Sequence, residues 1–307
     1  MTASPESTPT PYTLGVIGGS GLYEMEGLTN VESVAVETPF GSPSDPLVRG
    51  VLDGPSGPVT LLFLPRHGRG HRFSPTDVPY RANVFAMKAA GATHLLSVSA
   101  VGSMKEAIEP GDLVAVDQFI DLTKRRVSTF FDDGAAAHVT FADPVCDKLQ
   151  GALVEAAKAA TEAVRASGGK AGKVHVGGTY VCMEGPQFST RAESLVYRSW
   201  GVSVIGMTAM PEAKLAREAE LPYATLALAT DYDCWHQSEE DVSVDAVVAV
   251  LSRNVATARK TVRELAFRLP DPATSRAAGA LRHAIMTSKD RLSESTKARI
   301  AVLAKER

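Results

Sequence analysis

The chain has 307 residues, enough for one large domain or two small ones, and its 44% hydrophobic and 22% charged content supplies a sizeable globular core. With 32 Lys and Arg against 35 Asp and Glu, the formal charge of −3 excludes a broad basic surface for nucleic acid or an anionic membrane. No apolar run approaches the roughly 18 residues of a spanning helix, and residues 1–11 lack the basic start and apolar stretch of a signal peptide. Three cysteines, Cys146, Cys182 and Cys234, are too few and too scattered for a disulfide framework or a zinc site. The expectation is a cytoplasmic protein with no metal and no bound cofactor.

In chain order, residues 1–11 read as a disordered tail, with too few apolar groups to offset their ordering entropy. From Tyr12 onward, short apolar runs alternate with helical patterns. Strands are predicted at 14–17, 59–64, 94–99, 112–116, 174–181, 202–205 and 223–229, each rich in Val, Ile, Leu or Thr and bounded by Gly, Pro or charge. Helices are predicted at 78–90, with Thr76 or Asp77 as N-cap and Gly91 past its end, and at the Ala-rich 143–166. Three more follow at 190–200, opened by a Thr190/Glu193 capping pattern, at 211–220 and at 242–267. This alternation predicts an α/β fold: a central mixed, largely parallel β-sheet flanked by helices, in a single domain over 12–269. A Pro-rich break at 269–272 opens a C-terminal extension, 270–307, whose charged stretch 275–307 reads as helical. Packing on the body, contact with a partner subunit and loose attachment are all open for it.

Five segments carry residue types that chemistry needs. Gly18-Gly19-Ser20-Gly21 follows the first strand, and its backbone N–H groups and hydroxyl suit a phosphate; a tight surface turn is the alternative. It is no dinucleotide fingerprint, since Glu24 stands where the third glycine belongs, and no P-loop, since no Gly-Lys-Ser/Thr follows. Arg66-His67-Gly68-Arg69-Gly70-His71 ends the second strand, where α/β sheets bind ligands, and Arg66 can fork two hydrogen bonds to phosphate oxygens; the alternative is a solvated basic loop. Ser97–Ser103 ends the third strand with small residues that permit close approach to an anion or a ribose, though such residues are also ordinary at strand ends. In Cys182-Met183-Glu184-Gly185-Pro186-Gln187-Phe188-Ser189, Phe188 can stack on a flat heterocycle or serve as core. Finally, Thr230-Asp231-Tyr232-Asp233-Cys234-Trp235 sets two carboxylates at i and i+2, on one side of an extended segment, where crowding raises one pKa and makes it a proton donor. A cation loop or two solvated aspartates are the alternatives there. Phosphate donors, a stacking ring and a carboxylate pair at the ends of neighbouring strands together fit phosphorolysis of a nucleoside.

With Met207-Thr208-x-x-Pro211-Glu212 added, these motifs, in this order, resemble the methylthioadenosine phosphorylase group within the trimeric purine nucleoside phosphorylase family. The likeness spans roughly 14–268, with the N-terminal tail and everything after Pro270 outside it. The resemblance implies phosphate contacts at Ser20, Arg66, His67, Ser99, Ala100 and Thr208, with inorganic phosphate a co-substrate. It implies a sugar contact at Met207, a base contact at Phe188 and Ser189, and Asp231 and Asp233 on the base edge. It also implies a 5′ pocket of Val244, Val247 and His71, closed by His138 from an adjacent subunit of a homotrimer.

The activity so implied is phosphorolysis of 5′-methylthioadenosine to adenine and 5-methylthioribose 1-phosphate, a step of purine and methionine salvage. The catalytic pair is Asp231, at N7, and Asp233, at the 6-amino group. A 6-oxopurine would set its own acceptor against an ionised Asp, so adenine nucleosides are expected over inosine or guanosine. Two alternatives are a 6-oxopurine nucleoside or methylthioinosine phosphorylase of the same fold, and a non-catalytic nucleoside-binding protein. A nicotinamide oxidoreductase is disfavoured by the incomplete glycine pattern.

Overall fold

The computed structural model describes residues 12–236 and 244–304; the expected tail at 1–11 lies outside the described residues. Four parallel strands lie side by side at its centre: β1 (Thr13–Gly18) between β4 (Gly57–Pro65) and β5 (His94–Ser103), and β11 (Tyr223–Asp231) on the far side of β5. They are almost continuously apolar and buried, as strands covered on both faces must be. In register Gly18 lies opposite Pro65, Ile17 opposite Ser97, Ala227 opposite Ser99 and Asp231 opposite Gly102. Four of the motif loops therefore leave one edge of the sheet as neighbours.

Around this centre the sheet is mixed. β2 (Leu28–Val34) and β3 (Leu47–Gly54) extend it antiparallel beyond β4. The end of β5 pairs with β10 (Val204–Gly206), which leads to β9 (Thr179–Cys182) and β7 (Gln118–Asp121), while β11 leads to β6 (Leu113–Ala115) and β8 (Val174–Val176). Gly206 sits where the sheet branches, and a Cβ there would lie 2.0 Å from the Tyr180 hydroxyl oxygen, so only glycine fits.

One face is covered by α2 (Asp147–Ala166) and α5 (Val244–Ala266), and the other by α1 (Tyr80–Ala89) and α4 (Ala209–Glu218). Along α2, Leu149, Leu153, Ala156, Ala157, Ala160 and Val164 form the inward stripe expected of a helix lying on a sheet. The predicted capping box at Thr190 and Glu193 opens α3 (Arg191–Ser199), and helical geometry in α4 begins at Pro211, past a non-helical Met210.

Several expectations need correction. The predicted strand 174–181 is two strands, divided at Gly177 and Gly178, whose positive φ values of 76° and 114° turn the chain. α1 is capped by neither Thr76 nor Asp77: its N-cap is Pro79, and Asp77 bonds back to Ser74. β2, β3 and β7 have no counterpart among the predicted strands. Among the described residues of the extension only Glu294–Leu303 (α6) is α-helical; the stretch before it runs through turns and short 3₁₀ segments. It packs on the body, with Leu281, Ala284, Leu292 and Leu303 buried in the α1 side of the core. The extension also clasps the 132–138 loop: His138 N–H donates to Ala284 O at 2.9 Å, and Arg299 Nη1 to Asp132 Oδ1 at 2.8 Å.

If the extension is part of the core, Leu303→Ala should cost about 2–5 kcal/mol, as a buried Leu truncation does. Denaturant unfolding of the two proteins would measure it, and an unchanged midpoint would make α6 an appendage.

Candidate active site

Arg66 leaves the end of β4 with a buried side chain. Its Nε donates to Glu212 Oε2 at 3.0 Å, Nη1 to Val98 O at 3.1 Å, and Nη2 to Ile17 O and Ser97 Oγ at 3.0 and 2.8 Å. The free two-pronged fork expected for phosphate is therefore already engaged. Nη1 carries two hydrogens and has one acceptor among the described residues, so a single N–H remains for an anion. Glu212, itself buried, also accepts from the Tyr223 hydroxyl, which in turn accepts from Thr225. Its charge offsets the burial penalty on the guanidinium, whose pKa stays above the ordinary arginine value.

Near Arg66, two hydroxyl-bearing residues are poised for a ligand. Ser99 Oγ is buried without a hydrogen-bond partner among the described residues, and an orphaned hydroxyl of that kind awaits one. Thr208 is buried where β10 turns into α4, its N–H 3.5 Å from the Tyr180 hydroxyl. Ala100 follows Ser99 on β5 and is half-buried. His67 donates from Nδ1 to Phe73 O at 2.9 Å and stacks on His71, ring centroids 4.2 Å apart. Burial and the charge of Arg66 push the His67 pKa down to about 4, so the ring is neutral at physiological pH. The hydroxyl of Ser20 and the side chains of Val244 and Val247 lie outside the described residues.

At the end of β11, Asp231 and Asp233 converge, but not by strand alternation. Asp231 closes the strand; Asp233 stands in a 3₁₀ turn with φ of 52°, and its N–H donates to Asp231 Oδ1 at 2.8 Å. A tight turn, not an extended i, i+2 pair, brings the carboxylates together. Asp231 Oδ2 accepts from the Thr230 hydroxyl at 2.7 Å and Asp233 Oδ2 from the Ser194 hydroxyl of α3 at 2.5 Å. Burial raises the pKa of both, and the neighbouring Asp231 charge raises Asp233 further. That shift is in the direction that general-acid chemistry requires of a carboxyl. Gly102 gives the pair its room, since a Cβ there would meet Asp231 Oδ1 at 2.9 Å.

Phe188 lies in the loop between β9 and α3, with 46% of its surface exposed. The loop is tied to the aspartate turn by Cys234 Sγ, which donates to Ser189 O, and by Arg191, which donates to Cys234 O. Met207 reaches the same loop: a Cβ on Gly185 would fall 2.5 Å from its sulfur. His138 is exposed, and the hydrogen bond of its N–H goes to the C-terminal extension and not to this cleft.

Sequence reasoning passed over the group that joins these loops. Arg126, 1% exposed, donates from Nε to Glu184 Oε1, from Nη2 to Glu184 O, and from Nη1 to Met207 O, Met210 O and the Tyr80 hydroxyl. Glu184 in turn accepts from Thr76 Oγ1 and from the N–H groups of Lys124 and Arg125. These donors hold its pKa down at about 2 despite partial burial. The one trace in the sequence is the basic run Lys124-Arg125-Arg126, which reads as a solvated surface until β7 is known to precede it. Glu212, Ser194 and Thr230 were likewise assigned no role. Among the described residues no group of three or more His, Cys, Asp or Glu is placed to hold a metal ion.

Comparison with known proteins places this arrangement. The family profile described as the phosphorylase superfamily matches residues 13–266. S-methyl-5′-thioadenosine phosphorylase of Geobacter sulfurreducens is 57% identical over 291 residues, covering 94% of this chain and 97% of that one. The protein of the same name from Thermosynechococcus vestitus is 51% identical, with the same coverages. Among solved structures, a methylthioadenosine phosphorylase from an antarctic soil metagenomic library superposes with a TM-score of 0.86 at 49% identity, covering 95% of this chain and 99% of that one. Coverage of 94% carries the likeness beyond Pro270 into the C-terminal extension, contrary to the narrower span expected.

The lowered pKa of Glu184 has a stability consequence. A carboxyl depressed in the folded state stabilises above its unfolded pKa, and that contribution is lost as pH falls through the folded value. Between the ordinary carboxyl value of 4.5 and about 2, the melting-temperature gap between the wild type and Glu184→Gln should therefore close as pH falls. A gap independent of pH over that window would detach the stability from the Glu184 charge.

Proposed function

Because the chain belongs to the phosphorylase superfamily, we propose that it cleaves 5′-methylthioadenosine with inorganic phosphate, giving adenine and 5-methylthioribose 1-phosphate. The observation that carries this reading is the aspartate turn. Two carboxyls with raised pKa values, Asp233 buried and Asp231 half-buried, stand on a turn bonded to the Phe188 loop, at the end of the strand that pairs with β5 and its Ser99.

In this reading phosphate lies against Ser20, Arg66, His67, Ser99, Ala100 and Thr208. Met207 supports the ribose, Phe188 and Ser189 border the purine, and Val244, Val247 and His71 face the 5′ substituent. As the C1′–N9 bond stretches, the sugar gains oxocarbenium character and the purine gains negative charge. Asp231 delivers a proton to N7, worth about 10²–10⁴-fold in rate, while Asp233 accepts from the 6-amino group. Phosphate, held below the sugar, then attacks C1′, so the protein needs no nucleophile of its own and contributes chiefly by prior positioning. No cofactor takes part.

The protein acts as a homotrimer in which His138 completes the 5′ pocket of a neighbour. In support, His138 lies on the exposed clasped loop, and α3 presents Leu195, Val196 and Trp200 about half-exposed, an apolar face suited to a second copy. We place the enzyme in the cytoplasm, where its free thiols Cys146, Cys182 and Cys234 stay reduced.

Phosphate-dependent release of base from methylthioadenosine, adenosine, methylthioinosine and inosine, measured side by side, tests the reading. The two adenine nucleosides should be cleaved and the 6-oxopurines rejected by about 10⁴-fold; equal rates on both classes would overturn it. Asp231→Asn should lower kcat by about 10²–10⁴-fold with little change in the phosphate KM. Ser99→Ala should do the reverse. Removing one hydrogen bond to a charged ligand costs about 1.5–3 kcal/mol, a rise of roughly tenfold or more in phosphate KM. Because Ser99 Oγ has no hydrogen-bond partner among the described residues, the fold should be little affected.

A further inference from the structure

The phosphate end of the cleft is poor in net positive charge. Its buried cation, Arg66, is matched by Glu212 at 3.0 Å, with both side chains 3% exposed or less. The second polar group there, His67, is constrained by its own backbone. Its Nδ1 lies 2.9 Å from Phe73 O, and a carbonyl oxygen has no hydrogen to give, so Nδ1 must be the donor. The neutral ring then presents a lone pair at Nε2, which makes no hydrogen bond among the described residues. The charged and titratable groups around the ring reinforce that state. Arg66 beside it, Arg126 from the β7 side and the stacked His71 all oppose a second proton, and among the described residues no carboxylate pairs with the ring, Glu212 being engaged by Arg66.

Resting on the reading of this cleft as the phosphate site, we infer that His67 recognises the proton of the co-substrate. Phosphate is taken up as hydrogen phosphate with its P–OH donated to Nε2, and tetrahedral anions that carry no proton are held more weakly. The bond also orients the anion. With the hydroxyl turned to His67, the ionised oxygens are left for Ser99, for the remaining Arg66 N–H and for attack on C1′. Charges and atoms balance: nucleoside, HPO₄²⁻ and the proton of the aspartate pair yield neutral adenine and the singly protonated sugar phosphate. The C1′–N9 bond breaks and a C1′–O bond forms. Loss of the ester proton to solvent and reprotonation of the carboxyl close the cycle.

Sulfate has the shape of phosphate but no proton at neutral pH, so it would set an oxygen lone pair against the Nε2 lone pair. Arsenate keeps a proton. The test uses the full-length enzyme at neutral pH, with sulfate and arsenate each measured against phosphate in adenine release from methylthioadenosine. Arsenate should support turnover in place of phosphate. Sulfate should inhibit with a constant at least about tenfold above the phosphate KM, the value of one charge-assisted hydrogen bond. Nitrogen-15 NMR of histidine-labelled enzyme, with His67 assigned by its loss in His67→Gln, should show Nδ1 protonated and Nε2 bare. Added phosphate should shift Nε2 as a hydrogen-bond acceptor. Sulfate inhibition equal to the phosphate KM, or a proton on Nε2, overturns the inference while leaving the proposed reaction standing. Absence of any phosphate-dependent adenine release would instead bring down the reaction. His67→Lys, which puts a donor in place of the lone pair, should narrow the gap between sulfate and phosphate, and an unchanged gap would overturn the inference too.

Discussion

The ion pair between Arg66 and Glu212 is the constraint to which the cleft is keyed. One guanidinium at the end of β4 reaches β1 through Ile17 O, β5 through Val98 O and Ser97, and α4 through Glu212, which itself holds Tyr223 of β11. A charge pair so deeply buried is weak evidence for stability, because desolvation consumes most of its Coulombic gain. What it supplies is geometry. Four strands and a helix are fixed relative to one another by groups that would each be costly to leave unpaired.

The two ends of the cleft divide the electrostatic work. At one, arginine is neutralised by glutamate and histidine is kept neutral, so an anion is held by directed hydrogen bonds more than by bulk charge. At the other, burial keeps a pair of carboxyls inclined to hold a proton. A substrate that becomes cationic in its middle as bond breaking proceeds, between an anion and a proton donor, supplies the positive charge that the protein withholds.

Much of this was legible in the sequence because a parallel α/β sheet writes itself in short apolar runs, and because the motif loops follow those runs directly. The strand ends predicted at 17, 64 and 229 lie within two residues of those observed, Gly18, Pro65 and Asp231, for that reason. What escaped were elements whose residues look like loop. β2 is an exposed edge whose Leu28, Thr29, Val31 and Val34 are broken up by Asn30, Glu32 and Ser33, and β3 carries Arg49, Gly50 and Asp53, where Gly50 makes room for Leu28. Without β7, Arg126 had no address, and a buried hub was passed over. The aspartate pair was found for a reason that proved inexact: spacing suggested an extended strand, whereas a left-handed residue at Asp233 makes the turn. Glu212 shows the remaining limit, since a glutamate one residue after a proline says nothing of a partner 146 positions away.

Arg126 bears on how the cleft opens. The loop bearing Phe188 and the Met207–Met210 segment are different stretches of chain, yet both hang from one guanidinium through the Glu184, Met207 and Met210 carbonyls. Parting them would strip several charge-assisted bonds at once from a side chain shut away from water. The Phe188 loop and the Met207–Met210 segment are therefore tied together, so opening between neighbouring parts of the cleft falls to motion around that unit and not within it.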